Sequence, residues 1–395
     1  MRAILQGRKF SCFGKTGESM DFDYVVLPAI IFVVGVLIVW LSMRRILSLS
    51  KKSYRTWRKI VERIVLSVVV LLVAVLAGSS AYNAIALHHF WATNSPPGAF
   101  FSVNGHRMHI ICTGSGSPTI ILEAGLGNDS MTWGGVQPVL SSTTRVCSYD
   151  RAGFGWSDPL PAPRDADHIA SELHELLLQA KITGPIVLMG HSIGGMYLRD
   201  YVTRYPADIV GIVFEDSSTP LQDENPANKA LASKAPPRWA FELLTKSAMS
   251  TGIPRLLGMC SQSIKGFDAH AAKLQAEDIC QTHVSQMFVY MDSINRSGQE
   301  TVHTGPYGAL PILIISEDPA KIPAGVSADA ANAFLGMQED LKKLSTRSRR
   351  IIAKGSSHYI HIDRAELIEK EVPLFIEQIR GTAPQPDNWG STITE

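Results

Sequence analysis

The hexapeptide GHSIGG, Gly190 to Gly195, constrains this chain more than any other stretch of it. It follows the apolar run PIVLM and precedes a segment of helical character, MYLRDYVTRYP. A strand that passes into a helix through so few residues must turn sharply. The residues flanking the turn must then be small, which Gly190 and Gly194 supply. Such a turn pushes the hydroxyl of Ser192 out above the strand end. It also aims the backbone N–H of Ile193, at the positive end of the following helix, into the same space.

Strand-like and helix-like segments alternate on both sides of this turn. The strand candidates are FFSV near Phe101, RMHIIC, TIILEA, TRVCSYD, PIVLMG, IVGIVFE, PILIIS and RRIIAK. Several are unbroken apolar, β-branched runs, the pattern of strands covered on both faces. DADHIASELHELLLQAK has Ile169, Leu173, Leu176 and Leu177 at helical spacing, with Asp165 and Asp167 at its start. Strand–helix alternation predicts an α/β fold with a mostly parallel eight-stranded sheet and flanking helices. The alternation breaks over residues 217–308, too long a stretch for a crossover loop, and this predicts an inserted helical cap. The core then comprises residues 99–216 and 309–380, and the polar stretch 381–395 reads as a disordered tail.

Upstream, two uncharged apolar runs, Tyr24 to Met43 and Ile64 to about Leu87, each reach the roughly 20 residues that cross about 30 Å of hydrocarbon. Residues 24–91 are therefore expected to form two transmembrane helices, after a tail at 1–23 and before a linker at 92–98 (ATNSPPG) whose prolines stop the second helix. A start at Met20 would remove most of that tail. Between the runs, Arg44, Arg45, Lys51, Lys52, Arg55, Arg58, Lys59 and Arg63 face the single acid Glu62. So basic a short loop stays in the cytoplasm and puts the rest of the chain on the periplasmic or extracellular side. Arg2, Arg8, Lys9 and Lys15 in the tail pull the other way, less densely.

Beyond the runs, Cys112, Cys147, Cys260 and Cys280 make an even set available for pairing in an oxidising compartment. Cys112 and Cys147 fall in strand-like segments, where buried free thiols are at least as good a reading. With 37 basic and 36 acidic residues the chain has no overall pull toward nucleic acid. No Cys/His spacing suggests a metal, and no cofactor is expected.

A serine hydroxyl needs a base to act as a nucleophile. His358, in the loop IIAKGSSHYIHIDRAE after the last core strand, fits the chain order nucleophile, acid, histidine, and His361 is its neighbour and competitor. Two loops offer the acid: Asp216 ends IVGIVFE, and Glu317 and Asp318 end PILIIS. The loop EAGLGN after TIILEA brings backbone N–H groups close to a substrate, with Leu126 the expected second oxyanion donor beside Ile193.

YDRAGFGWSD (Tyr149 to Asp158), GHSIGG and GSSHYIHID together resemble the α/β-hydrolase superfamily, in its lipase, esterase and haloalkane dehalogenase-like branch, over Phe100 to Ile379. The resemblance departs from the usual His-Gly oxyanion motif, which is Ala124-Gly125 here. It also favours Asp216 over Asp318, because some dehalogenase-like members carry their acid after the sixth strand. A serine nucleophile implies acyl transfer rather than the chemistry of the aspartate-based relatives. The expected function is membrane-anchored hydrolysis of hydrophobic acyl esters by Ser192, His358 and Asp216. Its partners would be a small-molecule or lipid ester and the bilayer; the sequence leaves the oligomeric state open. A catalytically silent module of the same fold, an acyltransferase, or an amide or thioester hydrolase are the alternatives.

Overall fold

The computed structural model describes residues 26–49, 56–220, 222–262, 264, 266–281, 284–322, 326–387 and 389–395. The expected N-terminal tail, with Cys12, and Lys51, Lys52 and Arg55 of the basic loop lie outside the described residues. Two compact units make up the rest. One holds the described residues up to Ser95 together with Ala248–Leu256, and the other holds Pro96–Ser247 and Leu257–Glu395. The segment Ala248–Leu256, which the sequence groups with the cap, thus belongs with the N-terminal helices.

In the first unit, α1 (Leu27–Ser48) and α2 (Thr56–Thr93) are each long and apolar enough to cross a membrane. Only 11% and 6% of their most apolar windows are buried, so neither is the core helix of a globular domain. At 1.5 Å per residue α2 is roughly 57 Å long, well beyond the hydrocarbon thickness of about 30 Å. Arg45 Nε pairs with Glu62 Oε1 at 2.6 Å. Further along α2, Ser80 Oγ donates to the Ser250 carbonyl at 2.7 Å and Arg255 Nε donates to Asn83 Oδ1 at 2.8 Å.

The second unit is built on one sheet. Its strands are β1 (Ala99–Val103), β2 (His106–Thr113), β3 (Thr119–Glu123), β4 (Val146–Tyr149), β5 (Ile186–His191), β6 (Ile209–Glu215), β7 (Ile312–Ser316), β8 (Ser348–Ile352) and β9 (Thr392–Thr394), in the order β1-β2-β4-β3-β5-β6-β7-β8-β9. The β1–β2 and β2–β4 ladders are antiparallel and the rest parallel. β1 to β8 coincide with the eight strand-like runs. The ninth strand corrects the expectation of a disordered tail. Gly390 N donates to Ser348 O at 2.6 Å and Glu395 N to Ile352 O at 3.0 Å, so the tail closes a β8 edge that would otherwise stay unpaired.

Alternating side chains divide the core between the two faces of the sheet. Ile121, Leu188, Ile212, Phe214 and Ile314 pack under α3 (Ala166–Gln179) and α4 (Ile193–Arg204) through Leu173, Leu176, Leu177, Leu198 and Tyr201. Ile120, Leu122, Val187, Met189, Val213 and Ile315 pack on Leu367, Ile368, Val372 and Phe375 of the C-terminal helix Ala365–Arg380. Asp165 caps α3, its carboxylate accepting the His168 N–H at 3.1 Å.

Between β6 and β7 the chain is helical, with α5 (Arg238–Ser250), α6 (Ala269–Gln281), α7 (Val284–Asp292) and α8 (Ile294–Thr301). Cys260 and Cys280 form a disulfide there. Cys112 and Cys147 are also joined rather than free, because they stand directly opposite one another on β2 and β4.

Candidate active site

Ser192 sits between the last residue of β5 and the first of α4, half-buried, with φ +54° and ψ −127°. A residue with a Cβ holds such a backbone only where its surroundings fix it, at a cost of about 1–3 kcal/mol. Three hydrogen bonds do the fixing: Ser192 N to Glu215 O (3.1 Å), Gly195 N to Ser192 O (3.1 Å) and Ser218 N to Ser192 O (2.8 Å). The flanking glycines are required. A Cβ on Gly190 would lie 2.8 Å from Gly195 N, and one on Gly194 2.7 Å from Glu123 O.

His358 Nδ1 lies 2.6 Å from Asp216 Oδ2. Asp216 is buried and itself has a positive φ of 40°. Its backbone N–H donates to Ile315 O at 2.7 Å, and its Oδ1 accepts the Glu317 N–H at 2.9 Å. One carboxylate oxygen is thereby anchored to the end of β7 while the other faces the imidazole. With Nδ1–H on the carboxylate, the lone pair of His358 is on Nε2. Burial works against protonating His358, but the hydrogen bond and charge of Asp216, followed by Glu317 and Glu215, raise its pKa above the ordinary histidine value.

The competing acids stand elsewhere. Asp318 Oδ1 accepts from Ala320 N at 2.9 Å and its Oδ2 from Gly355 N at 2.7 Å, and these bonds hold its pKa below the usual range. Glu317 is 7% exposed, and burial, followed by the charge of Asp216, pushes its carboxyl up to about 7.

His361, the second histidine of the loop, is buried. Its Nδ1 lies 2.7 Å from Glu215 Oε1, its backbone N–H donates to the same oxygen at 2.8 Å, and its Nε2 lies 3.0 Å from Thr132 Oγ1. His191, beside the elbow, donates from Nε2 to the His358 carbonyl at 3.0 Å. Burial, then the neighbouring His361 and His358, drives the His191 pKa well below normal, so the ring stays neutral. His191, Glu215 and His361 bring potential metal-ligand atoms within 4.8 Å of one another. Hydrogen bonds already take one N–H from each ring, and a Cβ on Gly125 would lie 2.7 Å from His191 Nδ1. A side chain at position 125 would thus collide with His191, and the trio braces the elbow against the His358 loop.

The loop after β3, expected to hold the oxyanion, has a support that the sequence reading missed. Arg151 is buried and donates from Nη1 to Glu123 Oε1 and Ala124 O, both at 2.5 Å, and from Nη2 to Gly125 O at 2.5 Å. Tyr149 Oη donates to the other oxygen of Glu123, and the Arg151 guanidinium lies over the rings of Tyr290 (5.5 Å) and Tyr197 (5.7 Å). In a planar trans peptide the C=O and the following N–H point in opposite directions. By holding the Gly125 carbonyl, Arg151 fixes the Leu126 N–H facing away from itself. Arg151 lies in YDRAGFGWSD, and its spacing from Glu123 carried no signal, since only the β3–β4 pairing brings the two together.

A model of the alpha/beta hydrolase family matches residues 120–371. Over 155 residues the chain is 34% identical to an uncharacterized protein of Schizosaccharomyces pombe, covering 32% of this chain and 29% of that one. Over 143 residues it is 34% identical to a protein of Hormonema carpetanum named a probable transporter, covering 34% of this chain and 20% of the other. The chain thus spans well under half the length of these two relatives. A variant of Vigna radiata epoxide hydrolase superposes with a TM-score of 0.54 at 16% identity, over 71% of this chain and 98% of that one, which shows a shared fold.

Proposed function

Because the chain belongs to the alpha/beta hydrolase family, we propose that it is a membrane-anchored serine hydrolase acting on carboxylic esters with hydrophobic acyl groups. The contact of His358 Nδ1 with Asp216 Oδ2 at 2.6 Å, at the same sheet end as the strained Ser192, carries this reading. Ser192 Oγ attacks the acyl carbon as its proton passes to His358 Nε2, and Asp216 stabilises the imidazolium. The N–H groups of Leu126 and Ile193 receive the oxyanion. Collapse expels the alcohol, which takes the proton from His358. Water then attacks the acyl-enzyme, giving up a proton to His358, and the carboxylic acid leaves from a regenerated Ser192.

The two long apolar helices supply the anchor, with their basic loop on the cytoplasmic side and the catalytic region outside. The Cys112–Cys147 and Cys260–Cys280 disulfides suit that oxidising side. No transport activity is carried over from the Hormonema carpetanum relative.

A fluorophosphonate probe tests the proposal on the full chain in detergent. The expected result is one labelled serine, with labelling lost in Ser192→Ala and in His358→Ala. A folded wild-type chain that stays unlabelled and hydrolyses no ester of any acyl length would overturn it in favour of a silent module.

A further inference from the structure

We propose that a cavity distinct from the Ser192 site binds a short-chain monocarboxylate, with Arg199 receiving the carboxylate. The cavity has a volume of about 220 Å³ and is bordered by α4, the Thr219–Pro220 segment, the end of α8 and the turn Leu341–Leu344. Arg199 stands seven residues after Ser192 on α4, roughly 10 Å further along the helix. Pro220, Val302, Met337, Leu341 and Leu344 give the cavity apolar walls, and Arg199, Thr219 and Asp340 complete its lining.

Arg199 is 7% exposed and forms no ion pair with a carboxylate among the described residues. Its Nε donates to Thr304 Oγ1 at 2.9 Å, and its Nη2 to the Thr304 and Thr301 carbonyls at 3.3 and 3.5 Å. Nη1 carries two further N–H donors, makes no hydrogen bond within the chain and is not sealed off by protein. Burial lowers the Arg199 pKa, and only Tyr307, not an acid, works against that. A buried cation with spare donors and no counter-ion is costly until an anion joins it. Thr219 points to the same ligand. Its Oγ1 donates to Met337 Sδ at 3.0 Å, a weak acceptor that an anionic oxygen would displace.

The walls decide which anion. Arg199 supplies a single positive charge, and Asp340, paired with Lys343 at 2.5 Å, disfavours a dianion such as phosphate. Five apolar side chains call for a hydrocarbon tail. The space holds roughly seven water-sized groups, about the size of hexanoate. The site stands on Arg199 and its surroundings, and does not depend on the hydrolase reading.

The test titrates the full chain in nonionic detergent with sodium hexanoate, hexanol or sodium phosphate, read by calorimetry against protein-free micelles. The expected result is saturable binding of hexanoate and none of hexanol or phosphate at the same concentration. In Arg199→Met the affinity should fall about tenfold or more, the worth of one charge-assisted hydrogen bond. Arg199 also holds the Thr301 and Thr304 carbonyls, so that variant could lose its fold instead. Val302→Trp fills the cavity from a half-buried position, leaves the guanidinium in place, and should cause the same loss. A wild-type chain that binds no hexanoate overturns the proposal. So does binding that survives in folded Val302→Trp, which puts the ligand elsewhere, and so does phosphate or hexanol binding as well as hexanoate. Fluorophosphonate labelling of Ser192 reads the hydrolase proposal separately. A labelled chain that binds no hexanoate sinks only this site, and an unlabelled, inactive chain that binds hexanoate through Arg199 sinks only the hydrolase.

Discussion

Asp216 offers one carboxylate oxygen to His358 Nδ1 at 2.6 Å and the other to the Glu317 N–H at 2.9 Å, so the ends of β6 and β7 jointly aim the imidazole. In Asp216→Asn the amide loses the charge that stabilises the imidazolium, and it can present N–H instead of oxygen to Nδ1. The expected loss in kcat is about 10³–10⁴-fold on a water-soluble ester. Asp318→Asn can lose only one of the two caps, on Ala320 or on Gly355, and should change kcat little. Equal losses in the two variants would break the assignment.

Glu317 brings a pH dependence. In the proposed mechanism His358 must be neutral to accept the serine proton, so activity should rise with pH through a histidine pKa that lies above 6.5. Glu317→Gln removes a negative charge that favours the imidazolium and should move this acid limb to lower pH. Stability carries its own sign. The folded-state pKa of about 7 is raised above the ordinary 4.5, so the protonated carboxyl is the favoured form and its contribution is lost as pH rises from about 4.5 to 7. Glu317→Gln should therefore raise Tm above pH 7 and leave it unchanged below 4.5. A pH–rate profile and a Tm series that both superpose on wild type would refute this.

Arg151 is expected to be a positioning residue. Arg151→Met leaves the Gly125 carbonyl with only the Asn128 N–H at 3.3 Å and leaves Glu123 buried without its cation, which costs about 3–5 kcal/mol of stability. Adding Glu123→Gln removes the stranded charge and should restore much of that stability. The proposed oxyanion loop still lacks the guanidinium in the double variant, so kcat should remain about 10²-fold down with KM little changed. Recovery of kcat together with stability would reduce Arg151 to a purely structural role.

The parts of this architecture that depend on local pattern were legible in the sequence. PIVLM followed by GHSIGG specifies a strand and a tight turn through its own side chains, and the eight strand-like runs became β1 to β8 because each is apolar enough to be recognised alone. What escaped depends on partners distant in the chain. Thr392–Thr394 is a strand only because β8 presents an open edge, and Cys112 meets Cys147 only once β2 and β4 pair. The sequence offered Asp216 and Asp318 to the same histidine. It could not register that Gly355 and Ala320 already occupy the carboxylate of Asp318.

Gly125 is the point where the proposed oxyanion loop and the histidine brace meet. A Cβ there would lie 2.7 Å from His191 Nδ1 and 3.2 Å from its Cε1. The ring is fully enclosed and its Nε2–H is committed to the His358 carbonyl at 3.0 Å, so it has no free direction in which to retreat. Gly125→Ala must therefore either rotate His191, releasing the His358 loop, or shift the backbone that carries Leu126. Both routes misplace a group acting at the acyl carbon, and kcat should fall about 10²-fold. The second substitution His191→Asn separates the collision from any intrinsic need for glycine, because a shorter side chain vacates the space of the imidazole. If the collision is the cause, Gly125→Ala combined with His191→Asn should lose less than the sum of the two single effects, a coupling readable in a double-mutant cycle of kcat. Strict additivity would instead mean that the two residues act independently and that the brace does not reach the oxyanion loop.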